Sequence, residues 1–241
     1  MTPSSRKMNN IPSPPEGCLP VRQSFLFPLY FRNDDDIMSL LFSSLLHCRA
    51  GLPVGILVCG LNGTGKSTLG KVLAGRMGYE FIDNEDLYFP KADPSYMFSG
   101  PRSKEEVTRL LEEKIRDTRR FVFAAVKGDY GDKLIASLDY IVLVEVPKPV
   151  RSRRVRERSR QKFGERMMPG GDLYEQENRW FSLTDSRPDS YVTDWLETAR
   201  IHCPVIRIDG TLPVEENVAY LISVMRVRTG GEGCDALRAD E

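Results

Sequence analysis

One run of residues carries the chemistry this sequence offers most plainly. Gly60-Leu61-Asn62-Gly63-Thr64-Gly65-Lys66-Ser67, followed by Thr68, fits the phosphate-binding pattern G-x-x-x-x-G-K-[ST]. The glycines Gly60, Gly63 and Gly65 let the backbone turn its N–H groups inward with no side chain in a phosphate's way. Lys66 supplies a mobile positive charge for outer phosphates, and the Ser67 hydroxyl suits Mg²⁺. Residues Gly60 to Thr68 are therefore the expected nucleotide site. The loop says what is bound, not what reaction follows.

Further candidates lie downstream. Phe81-Ile82-Asp83-Asn84-Glu85-Asp86 places acids where a strand should end, and in an open α/β sheet such ends face the ligand crevice. Asp83 is expected to hold Mg²⁺, through water, or to orient an acceptor hydroxyl. Glu85 and Asp86 are expected to grip the substrate or act as base. Lys127 follows an apolar strand and is expected to meet an anionic group, with Arg102 as a second such cation. A Walker B strand would end in Asp; this one ends in Lys127, which moves the metal role towards Asp83. Residues 151–166 carry eight Arg or Lys against two Glu. Like charges one helical turn apart repel, and bound phosphates would relieve that. With Phe163-Gly164 as a hinge, residues 151–172 read as a lid, and Arg154, Arg158 and Arg166 are the candidates to meet the transferring phosphoryl group.

These residues need elements to hold them, and the spacing predicts those elements. Val54 to Cys59 is a short apolar run of buried-strand type, and Leu69 to Met77 has apolar residues at helical spacing. So the loop sits between a strand and a helix. Further strands are expected at 79–82, 121–126, 140–146 and 203–210. Helices are expected at 103–120, with a Ser103/Glu106 capping box, at 133–138, 173–183 and 188–198, and from 212 to about 226. Leu87 to Pro101 reads as an ordered loop with four aromatics, Tyr88, Phe89, Tyr96 and Phe98. The turn Asp209 to Thr211 is expected beside the nucleotide base.

Composition sets the limits. The chain has 241 residues, with 34 Lys and Arg against 34 Asp and Glu, so no net charge directs it to nucleic acid or membrane. The five cysteines are scattered, without a C-x-x-C pair, which fits a reducing cytoplasm better than a disulfide framework. Residues 1–50 are rich in Ser, Pro and Asn at the start and are expected to be an extension, disordered or loosely docked. The main domain is expected at 53–228 and a tail at 229–241.

The order of phosphate loop, acidic strand end, apolar third strand, arginine-rich helix and closing strand–helix pair resembles the small P-loop kinases, among them adenylate, shikimate and gluconate kinases. The resemblance covers about residues 53–228. Phe81-Ile82-Asp83-Asn84-Glu85 resembles the F-x-D-x-D stretch of shikimate and gluconate kinases, with Glu85 in place of the second Asp. Phe123 to Lys127 with Tyr130, Asp132 and Leu134 is similar to the A-L-K-x-x-Y-R-D-x-L stretch of gluconate kinases, without its Arg. The Gly-Gly-Gly turn of shikimate kinases is absent. The chain is also similar to bacterial ATPases of AAA or adenylate-kinase-like description, though its size and motifs do not suit an AAA machine.

The resemblance implies ATP, Mg²⁺ and an α/β three-layer sandwich: a five-stranded parallel sheet with the phosphate-loop strand central and an arginine-rich lid. The expected activity is transfer of the ATP γ-phosphoryl group to a small-molecule hydroxyl acceptor. One alternative is a nucleoside monophosphate kinase with a second phosphate site around Arg102 and Lys127. The other is an ATP-binding switch or a nucleic-acid-associated ATPase.

Overall fold

The computed structural model describes residues 54–93, 95–118 and 120–229. The expected extension over residues 1–50 lies outside them, and of the tail only Thr229 is described.

Five strands form one parallel sheet: β1 Val54–Cys59, β2 Glu80–Asp83, β3 Arg120–Ala124, β4 Leu138–Glu145 and β5 Val205–Asp209. Their order is β2-β3-β1-β4-β5, so β1 is central. A central parallel strand is covered on both faces, which explains why Val54 to Cys59 is apolar without alternation. Its side chains still alternate in direction. Leu57 and Cys59 enter one core and Ile56 and Val58 the other.

Two helical layers cover those cores. On one face lie α1 Lys66–Met77 and, from the end of the chain, α8 Val214–Thr229. Leu69 and Leu73 meet Val218, Leu221 and Met225 there. On the other face lie α3 Lys104–Asp117 and α7 Tyr191–Thr198, with the short α2 Asn84–Tyr88 and α4 Asp132–Ala136 between them. Val107, Leu111 and Ile115 of α3 recur at helical spacing and are buried with Leu134 and Val192. Each such side chain contributes about 1.5–3 kcal/mol on burial, several times any helix-propensity difference, so packing decides these elements. Helix α5 Lys148–Phe163, a 3₁₀ turn Gly164–Met167 and α6 Tyr174–Ser186 form the arm beyond β4.

Most elements stand where the sequence places them, with shifted ends. The third strand stops at Ala124 instead of 126, and the fourth begins at Leu138, so the short helix ends at Ala136 instead of running into it. Residues Asn84 to Tyr88 are helical, where a loop was expected from Leu87. The cap of this turn is Asp83, whose Oδ1 accepts from the Glu85 N–H at 2.9 Å.

Candidate functional site

The phosphate loop closes on itself. Thr64 Oγ1 donates to the Leu61 carbonyl at 2.9 Å, and Lys66 Nζ donates to the same oxygen at 3.1 Å. Gly60 N–H donates to Val126 O at 3.3 Å, tying the loop to the segment after β3. Gly63 has φ +81°, and a Cβ there would lie 2.3 Å from the Arg151 carbonyl oxygen. Gly65, with φ +93°, faces open space instead. The loop thus rests against the start of α5 and leaves its other side free for a ligand. Burial, and then the charge of Arg158, push the Lys66 ammonium down to about 8, while Asp83 pulls the other way. Lys66, Arg158 and Asp83 therefore share one electrostatic neighbourhood.

Opposite the loop stands the acidic end of β2. Asp83 spends Oδ1 on its helix cap, which leaves Oδ2 for a ligand. Glu85 Oε1 is 3.4 Å from Lys162 Nζ, and its Oε2 is 3.8 Å from Arg158 Nη1. Lys127 is largely covered: its Nζ lies 4.2 Å from the Tyr191 ring centroid and 3.7 Å from Asp129 Oδ2. So the structure brings Lys66, Asp83, Glu85 and Arg158 together, with Lys127 beside Tyr191 at the end of β3.

Other candidates sit elsewhere. Arg154 Nη1 donates to Gly210 O at 3.0 Å and lines an open cleft of about 220 Å³ with Thr64, Gly65, Thr68 and Asn217. That cleft lies beside the loop on the side of β5, away from the acidic end of β2. The turn Asp209 to Thr211 borders the cleft: Gly210 lines it, and Asp209 Oδ1 accepts from Thr211 N–H and Oγ1 at 2.8 and 2.7 Å. Arg166 is held by Asp172, Nη2 to Oδ2 at 2.6 Å, and donates to the Ser95 carbonyl. Arg102 donates to Leu87 O at 2.7 Å and pairs with Glu106 at 3.2 Å, which fixes α2 to α3. Asp86 is exposed and pairs with Lys91.

The arginine-rich helix needs no phosphate to relieve its charge. Arg151 meets Asp189, Ser152 and Arg156 meet Asp185, and Arg153 lies 3.7 Å from Glu157. With Glu85 and Asp172, acids near and distant in the chain partner most of the run.

Sequence reasoning missed Arg187. It ends α6, donates from Nη1 to Asn62 Oδ1 in the phosphate loop, and lies 5.5 Å from the Tyr191 centroid. Its charge also reaches Lys66 and lowers it. A single Arg before a Pro carries no spacing signal, so nothing local marked it. Asn84 was also missed; its Oδ1 is buried without a partner among the described residues, next to the acidic turn.

No ligating cluster of three or more His, Cys, Asp or Glu exists among the described residues. Mg²⁺ does not need one, because it keeps several waters and takes phosphate oxygens with one or two protein oxygens. The Ser67 hydroxyl, with no hydrogen bond among the described residues, and the free oxygen of Asp83 fit that demand. No helix among the described residues is long and apolar enough to cross a membrane.

The central β1, the loop at its end and the helix that follows define a P-loop fold of the α/β type. No family model matches the chain. It is 29% identical over 176 residues to the uncharacterized protein YqaC of Bacillus subtilis (strain 168), covering 70% of this chain and 95% of that one. It is 34% identical over 90 residues to a shikimate kinase of Geobacter sulfurreducens, spanning half of that enzyme and 37% of this chain. Among solved structures, a gluconokinase from Sinorhizobium meliloti 1021 aligns with TM-score 0.44 and 22% identity, covering 74% of this chain and 95% of that one. Over the 90 matched residues the chain resembles a shikimate kinase.

Proposed function

We infer that this chain is an ATP-dependent phosphotransferase that moves the γ-phosphoryl group to a hydroxyl of a small-molecule acceptor. One observation carries the reading: Arg187 donates to Asn62 in the phosphate loop, Arg158 faces Glu85 just past the end of β2, and the charges of Arg158, Arg187 and Asp83 all bear on Lys66. Cations gathered there stabilise charge spreading over the transferred group. The loop N–H groups and Lys66 hold the outer phosphates. Asp83 Oδ2 orients the acceptor hydroxyl and takes its proton, while the hydroxyl oxygen bonds to the γ-phosphorus, the bond to the bridging oxygen breaks, and ADP leaves. Ser67 directly and Asp83 through water would hold Mg²⁺, which neutralises phosphate charge when bound. The base lies in the cleft beside Arg154 and Gly210. The scattered cysteines fit a cytoplasmic setting.

The adenylate-type alternative asks for a second phosphate site around Arg102 and Lys127, but Arg102 is already engaged by Leu87 and Glu106, and Lys127 by Tyr191 and Asp129. The nucleic-acid reading loses its main support, since acids of this chain already partner most of the arginine-rich helix.

The test is Mg-ATP consumption with and without sugar acids, polyols, nucleosides and nucleotides, with Lys66→Ala as control. Stimulation by one class, lost in the variant, identifies the acceptor. ATP binding without stimulation by any class sinks the kinase reading and leaves the switch.

A further inference from the structure

Arg187 reaches the phosphate loop from the turn between α6 and α7, and a buried cation braces that turn. Arg151 lies in the first turn of α5 and is 1% exposed. Its Nη2 donates to Asp189 Oδ1 at 2.7 Å, two residues beyond Arg187. Its Nε has no hydrogen-bond partner among the described residues. The Asp189 side chain is 76% exposed. The backbone of Arg151 supports the loop itself, with its carbonyl directly behind Gly63. One residue thus touches the phosphate loop with its main chain and the Arg187 turn with its side chain. An ion pair with one buried, incompletely satisfied member is weak support for stability, because desolvation opposes the attraction. Folding alone gives little reason for a cation at this place.

We propose that Arg151 and Asp189 are positioning residues: their pair fixes the turn 187–189 so that Arg187 points at the phosphate loop and shares the outer-phosphate charge with Lys66. This rests on the phosphotransferase reading above. The contacts of Arg187 agree with it. Its guanidinium is held on one side by Asn62 and on the other by the Tyr191 ring. The contact with Asn62 requires the turn to stay in register with the loop. Within the turn, Asp189 is the side chain that meets the helix behind the loop.

The test uses the full chain and the variants Asp189→Asn, Asp189→Glu, Arg187→Ala and Asp189→Asn with Arg187→Ala. Dissociation constants for Mg-AMP-PNP and Mg-ADP are measured by calorimetry, and melting temperatures alongside. Arg187→Ala lowers the preference for the triphosphate analogue about tenfold, the size expected for one charge-assisted contact. Asp189→Asn gives about a threefold loss, Asp189→Glu restores it, and the loss vanishes when residue 187 is already alanine. Asp189→Asn keeps an oxygen that can accept from Arg151 Nη2, and the melting temperatures show whether each variant keeps the fold. A loss from Asp189→Asn that persists in the Arg187→Ala background shows a merely structural role and overturns the proposal. An unchanged triphosphate preference in Arg187→Ala overturns it as well. A natural chain that binds neither nucleotide removes the phosphotransferase reading, and the proposal with it; that failure is distinguishable because it shows in the unsubstituted protein.

Discussion

Glu85 and Arg158 face each other beside the phosphate loop, Oε2 to Nη1 at 3.8 Å. Lys162 approaches the other oxygen of the same carboxylate at 3.4 Å. A carboxylate there offers these cations what a phosphate would offer, so Glu85 competes with the ligand for them. Exposed pairs of this kind are worth about 1 kcal/mol or less. Glu85→Gln is therefore expected to raise Mg-ATP affinity, by about fivefold at most, and to shift the melting temperature by no more than about 4 °C. Calorimetric titration and a thermal melt check both; weaker binding in the variant would mean that Glu85 aids the nucleotide.

Lys66 makes binding depend on pH. Its ammonium is held down to about 8 by burial and by Arg158. In the free protein its charge is present below pH 8 and lost as pH rises through that value. Bound phosphates favour the charged form and raise the pKa again, so binding near and above pH 8 takes up a proton. Mg-ATP affinity is expected to fall from pH 7 to pH 9. Calorimetry in buffers of different ionisation enthalpy should register proton uptake near pH 8, and Lys66→Arg should abolish that uptake. In stability the sign runs the other way. The fold disfavours the charged lysine, so this residue opposes folding below pH 8, and the opposition fades between pH 8 and the ordinary lysine value of 10.5.

The glycines of the loop are not equivalent. A Cβ at Gly65 meets no protein atom within 4 Å, so Gly65→Ala carries only the left-handed backbone cost of about 1–2 kcal/mol. A Cβ at Gly63 meets main chain of α5 at 2.3 Å, which no side-chain rotation relieves. Gly63→Ala is expected to cost about 1–3 kcal/mol more than Gly65→Ala in urea denaturation. Gly65→Ala is expected to fold and lose nucleotide, since its new methyl occupies the open face of the loop.

Tyr96 and Glu177 join the segment after α2 to the arm. The Tyr96 hydroxyl donates to Glu177 Oε1 at 3.0 Å; Glu177 is 1% exposed, and its Oε2 has no partner among the described residues. Burial, and then the neighbouring carboxylate, raise the Tyr96 phenol well above its usual value, so it stays a donor. Tyr96→Phe removes the partner and leaves both oxygens stranded, at about 1–3 kcal/mol. That lowers the melting temperature by about 2–4 °C per kcal/mol in a chain of this size. Adding Glu177→Met should recover most of the loss, because removing both polar partners is nearly neutral where removing one is not.

The loop and its strand could be read from sequence because their signal is local: glycines, a lysine and an apolar run within about fifteen residues. The five strands were legible for the same reason. What could not be read is which distant side chains arrive together. Repulsion within 151–166 was evident, yet its relief by Asp185, Asp189 and Glu85 depends on tertiary packing that no periodicity encodes. Arg154 and Arg158 are one turn apart on the same helix, but Arg154 meets Gly210 and Arg158 meets Glu85. The loop aromatics Tyr96 and Phe98 carry no spacing signal that names their neighbours. They pack on Phe163, with ring centroids 5.3 and 6.0 Å away.

The place of β1 in the sheet has a consequence for how the chain is made. Val54 pairs with Arg120, and Gly55 with Leu138, so this strand has no neighbour from its own part of the sequence. During synthesis it emerges early and waits unpaired until β3 and then β4 leave the ribosome. Contacts of such separation are slow to form, since the intervening chain must be closed first. The nucleotide loop at the end of β1 therefore has no frame until more than half of the domain exists, and a nascent chain halted before β4 should be unable to hold a nucleotide.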